Sequence, residues 1–171
     1  MAVKANSGIT SIDQLNNRNV VTTTGTTSVQ HLRKHEKAAG VDFKEIYAKD
    51  HAESFLMLES GRADAFVMDG SILAGNIANA KNPKDFKIVG EPLSVEPIAI
   101  MLSKNDPEFK AAVDASIAKI VKNGNMPKLW NKWFLSPIPP KGIVVGLELS
   151  PATKNAWAHL NDKPAEDYVA K

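Results

Sequence analysis

Cysteine is absent from the chain of 171 residues. Its absence excludes disulfide bonds, thiolate catalysis and cysteine-ligated zinc, although it does not fix the cellular compartment. Long apolar runs are also missing, since no run approaches the roughly 20 residues of a membrane-spanning helix. The first residues, MAVKANSGI, lack the apolar core of a secretory signal. The chain is therefore expected to be cytoplasmic or to have lost a leader.

Arginine is scarce, and the basic residues are not clustered. Lysine and arginine total 21 against 19 aspartates and glutamates, which gives a net charge of +2, and the arginines are Arg18, Arg33 and Arg62. Nucleic-acid binding depends on a clustered basic face, so no nucleic-acid partner is expected. With 43% hydrophobic residues, the chain is long enough for one domain, or for one lobe with an extension.

Short β-like runs alternate with helical segments of about ten residues. The runs are Asn19–Thr24, Lys44–Lys49, Ala63–Asp69, Phe86–Gly90 and Pro97–Ser103. This alternation predicts an α/β fold in which helices flank a parallel-rich sheet.

Helix starts are marked by capping boxes, which begin at Ser11, Thr27 and Asp50. Helices are predicted to dominate from Asp106 to Phe134. An extended linker and a short helix follow, and the last residues, NDKPAEDYVAK, are expected to form a loose polar tail.

Polar residues follow three of the predicted strands. The first strand is followed by Gly25, Thr26 and Thr27, the second by His51, and the third by Asp69. In open α/β sheets, ligands bind beyond the carboxyl ends of the strands. The sequence therefore predicts a small-molecule site at this edge of the sheet.

Each of these features has two interpretations. Gly25 to Thr27 is typical of a helix N-terminus that binds an anion, and equally of an ordinary helix cap. Asp69 is suited to accept from an ammonium group or to cap the next helix. His51 is suited to donate to an anionic group or to lie in solvent in a helix's first turn. The residues alone leave these alternatives open.

The remaining motifs are better explained by packing or surface exposure than by a functional site. His31 and His35 have the spacing of zinc ligands, but no third ligand accompanies them. Trp130, Trp133 and Phe134, in the segment KLWNKWF, have the helical spacing of a packing face. No serine-hydrolase motif is present.

The blocks GTTS, AKDHAESF, LESGRADAFVMD, IAIMLSKNDPEFKAAVD and KLWNKWF occur in this order. Together, from Gly8 to Pro140, the chain resembles the polar amino-acid-binding proteins of ABC importers (solute-binding protein family 3), in particular the glutamate/aspartate-binding subgroup. The resemblance implies a periplasmic-binding-protein type II fold and a periplasmic, non-enzymatic protein without a cofactor. It further implies that L-glutamate or L-aspartate binds in a cleft between two lobes and is delivered to the membrane subunits of a permease.

The resemblance also implies an order of domains. Residues 1–7 and 94–104 are expected to be hinge strands, and residues 8–93 the second α/β lobe. Residues 105–171 are expected to be the C-terminal helical part of the first lobe, with the tail.

Roles for individual residues come from the same resemblance. Thr27 corresponds to a hydroxyl and amide donor, Asp69 to the acceptor of the ligand's α-ammonium, and His51 to a contact of its side-chain carboxylate. The same edge of the sheet is expected to be lined by Thr23, Gly25 and Thr26.

The chain departs from the family in one respect. The first lobe's main segment, with the arginine that clamps the ligand's α-carboxylate, normally precedes this stretch, and none of the three arginines is placed to substitute. Weak binding is therefore expected, together with self-association or exchange of elements that buries the aromatic face at Pro127–Phe134. Two alternatives remain: a dehydratase-like enzyme on the same fold, with His51 or Glu53 as acid or base, and a ligand-sensing domain of a receptor.

Overall fold

The computed structural model describes residues 1–164 and Asp167, so part of the predicted tail (residues 165, 166 and 168–171) lies outside the described residues. The chain divides into two compact units, Met1–Ser94 and the part from Val95 onward. Each unit has its own helices or strands.

A five-stranded sheet forms the first unit. Its strands are β1 (Ala2–Lys4), β2 (Asn19–Thr23), β3 (Lys44–Ala48), β4 (Ala65–Phe66) and β5 (Phe86–Ile88). They lie in the order β3-β2-β4-β1-β5, with β2 parallel to β3 and β4, and β1 antiparallel to β4 and β5. All strands but β1 therefore run in one direction, and the predicted parallel-rich sheet is confirmed.

Three α-helices flank this sheet: α1 (Thr27–Ala39), α2 (His51–Glu59) and α3 (Gly70–Asn79). Short 3-10 helices cover Ile12–Leu15 and Pro83–Asp85. The cap of α1 is Thr26, so the capping box predicted to begin at Thr27 is wrong by one residue. Successive threonines make the two starts hard to tell apart by composition. Gly40 ends α1 with φ +65°, a conformation that favours glycine.

The sheet is buried on both faces, because adjacent strand residues point to opposite sides. Val21 and Phe66 belong to one hydrophobic cluster together with Leu58 of α2 and Leu73 of α3. Their strand neighbours belong to the other cluster, which contains Leu32 of α1; they are Val20 and Ala65. Helices on both faces fix the sheet and leave the ends of its strands as the places where polar groups reach solvent.

Thr22 of β2 is 1% exposed, and its Oγ1 has no hydrogen-bond partner in the described part of the chain. Thr22→Val is expected to raise the free energy of unfolding by about 1 kcal/mol, since it replaces an unpaired buried hydroxyl by a methyl group. Urea denaturation measures the change.

The neighbouring Thr23 provides the matched control. Its hydroxyl lies 2.8 Å from His51 Nδ1 and 2.9 Å from Ser54 Oγ. Thr23→Val should therefore lower stability, because it breaks two buried contacts. A loss of stability in Thr22→Val equal to that in Thr23→Val would contradict the interpretation of Thr22 as an unpaired group.

The second unit is helical. It contains α4 (Pro107–Lys122), α5 (Asn125–Trp130), a π-helical turn (Asn131–Leu135) and α6 (Pro151–Ala158). Asp106 caps α4 by accepting from the Phe109 N–H at 2.9 Å. The strand predicted at Pro97–Ser103 is wrong: these residues have no regular structure. Its β-like pattern is not enough, because a strand also needs a partner for its N–H and C=O groups.

Aromatic rings hold the second unit together around Trp130. Its ring stacks on Phe134 with centroids 4.2 Å apart and meets Trp157 edge-on at 6.0 Å. The indole N–H donates to the Leu147 carbonyl at 2.9 Å. Trp133, by contrast, is 48% exposed, and every residue in the described part of this unit is at least partly exposed. The packing role predicted for the aromatic residues holds for Trp130 and Phe134.

Candidate functional site

The carboxyl ends of β2, β3 and β4 share one edge of the sheet. Thr23 is in register with Ala48, and Val21 with Phe66. Just beyond the strands, the Thr24 N–H donates to the Ala48 carbonyl at 2.9 Å. The six predicted site residues lie at this edge, at the ends of these strands or in the turns and helix starts that follow: Thr23, Gly25, Thr26, Thr27, His51 and Asp69. We call this edge the rim.

The turn between β2 and α1 has a conformation that depends on glycine. Gly25 has φ +76°, and no atom lies within 4 Å of the position a Cβ would take, so only the backbone conformation disfavours a side chain. Thr26 is extended, and its hydroxyl donates back to the Thr23 carbonyl at 2.8 Å. The Thr26 side chain therefore stabilises the turn and does not cap α1. Thr27 is exposed as the first residue of the helix.

His51 is tied to the end of β2 through two hydroxyl groups. Its Nδ1 lies 2.8 Å from Thr23 Oγ1, which lies 2.9 Å from Ser54 Oγ. Ser54 in turn donates to the Asp50 carbonyl at 3.0 Å. Thr23 is 5% and Ser54 0% exposed, so the network is buried while His51 is half-buried at the rim. The two hydroxyls fix the orientation of the imidazole.

Ser54 was not among the predicted site residues. It lies one helical turn after Asp50, the residue that caps α2 by accepting from the Glu53 N–H at 2.8 Å. A serine three residues after His51 falls on the same side of a helix. This spacing, together with a threonine at the end of the neighbouring strand, could have identified Ser54 from the sequence.

Asp69 follows β4 and occupies the position before α3. Its carbonyl accepts from the Leu73 N–H at 2.9 Å, but its side chain makes no capping hydrogen bond to the helix. The side chain is exposed. The Asp69 carboxylate therefore does not cap α3, and this one of its two interpretations is wrong.

The arginines are placed away from the rim. Arg18 precedes β2 at its amino end and lies 3.5 Å from Asp64. Arg33 pairs with Glu45 at 3.3 Å and donates to the Tyr47 hydroxyl at 2.9 Å. Burial raises the pKa of the Glu45 carboxyl, and the Arg33 guanidinium opposes that rise. Arg62 lies between α2 and the amino end of β4. The rim has no arginine of its own.

Two other places in the first unit have polar or charged groups close together. His35 Nε2 contacts Asp13 Oδ1 at 2.9 Å, and the described residues contain no group of three potential metal ligands. An open cavity of about 660 Å³ lies around Lys4 and Phe86, at the edge opposite to the rim, because β1 is antiparallel to β4. Charges of both signs line it, including those of Glu59 and Lys84. The rim remains the candidate site.

Residues 1–156 match a family model described as "ABC transporter, phosphonate, periplasmic substrate-binding protein". The chain belongs to this family of periplasmic substrate-binding proteins of ABC transporters. The resemblance of the ordered sequence blocks to the substrate-binding proteins of ABC importers is confirmed.

Two relatives that are named for their ligands match most of the chain. The L-glutamate/L-aspartate-binding protein of Pseudomonas aeruginosa is 43% identical over 163 residues, which cover 95% of this chain and 54% of that protein. The glutamate/aspartate import solute-binding protein of Escherichia coli is 42% identical with the same coverage. The chain thus spans about half the length of the curated relatives it matches.

Solved structures of the family have the same fold. An ancestral arginine-binding protein bound to glutamine is 34% identical, with a TM-score of 0.64 and coverage of 78% of this chain and 57% of that one. A probable amino-acid ABC transporter extracellular-binding protein from Bacillus subtilis is 25% identical, with a TM-score of 0.68 and coverage of 77% and 57%. The type II periplasmic-binding-protein fold is confirmed.

Proposed function

We propose that this chain belongs to the substrate-binding component of an amino-acid ABC importer and binds L-glutamate or L-aspartate at the rim. The observation that carries the proposal is the similarity over 163 residues to two proteins named for these ligands. Polar groups after three strands, one of them a carboxylate, supply the chemistry that an acidic amino acid needs.

In this proposal each charge of the ligand has a counterpart. The exposed Asp69 carboxylate accepts from the α-ammonium in a charge-assisted hydrogen bond. The α-carboxylate lies at the start of α1, where Thr27 and the turn at Gly25 present the positive end of the helix. His51 contacts the side-chain carboxylate, and the rim is completed by Thr23 and Thr26.

The partners and location follow from the same proposal. The chain acts in the periplasm and passes its ligand to the membrane subunits of a permease. Within the described residues, no helix is both long and apolar enough to cross the bilayer. The names of the relatives support binding without catalysis. The hinge segments 1–7 and 94–104, the lobe at 8–93 and the C-terminal part 105–171 stay predictions, as does self-association through the exposed aromatic face.

Calorimetric titration of the chain tests the proposal with glutamate, aspartate, glutamine and methylphosphonate. At acidic pH, where an imidazole is charged, glutamate or aspartate should bind at least about tenfold more tightly than glutamine, because a hydrogen bond to a charged group contributes about 1.5–3 kcal/mol. Methylphosphonate, included because the matching family model is named for phosphonate, should not bind. Preference for glutamine at acidic pH, or for the phosphonate, would refute the acidic-ligand proposal.

The enzyme alternative is tested in the same samples. NMR spectra of prephenate or arogenate incubated with the chain should show the compound unchanged. Conversion to a dehydrated product would overturn the assignment as a binding protein and would direct attention to His51 and Glu53.

A further inference from the structure

The buried network at His51 determines which ring nitrogen bears the proton. It consists of three contacts in series: His51 Nδ1 to Thr23 Oγ1 at 2.8 Å, Thr23 Oγ1 to Ser54 Oγ at 2.9 Å, and Ser54 Oγ to the Asp50 carbonyl at 3.0 Å. No other described residue contributes a contact to this series. Its direction can be worked out from the donors and acceptors alone.

The series has one fixed end. The Asp50 carbonyl can only accept, so the Ser54 hydroxyl must donate to it; without that proton, two oxygens with opposed lone pairs would lie 3.0 Å apart. A hydroxyl has one proton. Ser54 has used its own and must accept from Thr23. Thr23 has then used its proton as well, so it must accept from Nδ1 of His51.

We infer that Thr23 and Ser54 hold His51 in the Nδ1–H tautomer, so that its Nε2 offers a proton to a ligand only when the imidazole is charged. The opposite side of the ring faces away from the two hydroxyls, and Nε2 has no hydrogen bond within the described part of the chain. Neutral His51 therefore presents a lone pair at the rim. Thr23 and Ser54 are positioning residues, since they act through His51.

This tautomer has a consequence for selectivity, which rests on the proposed function. A side-chain carboxylate can only accept, so it requires the charged imidazole. The side-chain amide of glutamine has two N–H donors and suits the neutral ring. When the imidazole of the free protein is neutral, binding of glutamate should therefore take up a proton, whereas binding of glutamine should not.

The carboxylates next to His51 in the chain are already engaged. On either side of it, Asp50 Oδ1 accepts from the Glu53 N–H at 2.8 Å, and Glu53 Oε2 accepts from the Lys49 N–H at 3.0 Å. The elements that pack against α2 are β1, β2, β3, β4 and α3. Their charged residues are Lys4 and Lys44, which lie towards the opposite edge, and Glu45, which pairs with Arg33. Besides the exposed Asp69 carboxylate at the same rim, which is present with and without ligand, the ligand's own carboxylate is the group that favours the charged imidazole.

Glutamate therefore binds together with a proton on Nε2, whereas the amide of glutamine binds without one.

Nitrogen-15 NMR of the imidazole tests the tautomer on the chain without any ligand. At pH 8 the long-range proton–nitrogen correlations of His51 should show protonated Nδ1 and unprotonated Nε2. In Ser54→Ala the Thr23 hydroxyl regains a proton to donate to Nδ1, so the Nε2–H form should appear. Ser60→Ala is the control, because Ser60 lies at the end of α2 and its hydroxyl donates to the Met57 carbonyl, away from His51. An Nε2–H form in the unaltered chain would overturn the inference, whether or not the variant folds.

Calorimetry in buffers of different ionisation heat then measures proton uptake at pH 8. Glutamate should bind with uptake of up to about one proton per site, and Ser54→Ala should reduce that uptake. Binding of glutamate without uptake would overturn the selectivity argument and leave the proposed function standing. A failure to bind glutamate would instead count against the proposed function, while the NMR result would still decide the tautomer.

Discussion

Replacing Asp69 by asparagine is expected to weaken glutamate binding by about 100-fold without changing the stability of the fold. The variant keeps the size of the side chain but removes the negative charge that the ligand's α-ammonium would meet. A hydrogen bond to a charged group contributes about 1.5–3 kcal/mol, and 2.7 kcal/mol corresponds to about 100-fold in affinity. Since the Asp69 side chain is exposed and does not cap α3, the fold has little to lose. Calorimetric titration with glutamate measures the effect.

Asp42→Asn is the matched control. Asp42 is also exposed, but it precedes the amino end of β3 and so lies towards the opposite edge of the sheet. The two variants change the net charge equally, and only the one at the rim should change affinity. Equal affinities for Asp69→Asn and Asp42→Asn would rule out a role for Asp69 in binding. A lower melting temperature in Asp69→Asn alone would show that its effect is structural.

The place of the rim was predictable because it depends on strand direction alone. Parallel strands end at the same edge, so residues that follow the runs at Asn19, Lys44 and Ala63 come together without any knowledge of side-chain packing. The contact between Thr23 and His51 was not predictable in this way. It requires the register of β2 against β3 and one rotamer of each side chain, and neither is visible in the composition of the segments.

The lengths and directions of the strands were also not predictable from the sequence. The predicted run Ala63–Asp69 forms a strand only at Ala65–Phe66, although the Val67 N–H still donates to the Val21 carbonyl at 3.0 Å. β1 runs antiparallel to its neighbours, which no residue in it indicates. Pro97–Ser103 has a β-like pattern but no partner strand within the described part of the chain. A sequence pattern describes one strand, whereas a ladder requires two.

Helix α2 offers a test of how the rim depends on the core beneath it. Leu58 is 0% exposed and belongs to the cluster on the α2 side of the sheet, together with Val21 and Phe66. Leu58→Ala is expected to lower the free energy of unfolding by about 2–5 kcal/mol, since it removes buried methyl groups and leaves a cavity. A change of this size is a large part of the 5–15 kcal/mol typical of a domain. Urea denaturation measures it.

Leu56→Ala is the control, because Leu56 lies two residues away on the same helix and is 58% exposed. Both variants make the same change in helix propensity, so the difference between them isolates burial. Leu56→Ala should stay within about 0.5 kcal/mol. Leu58 also lies one turn after Ser54, on the face of α2 that meets the sheet, so its loss should loosen the contacts that orient His51. Equal stabilities for the two variants would contradict the placement of Leu58 in the core.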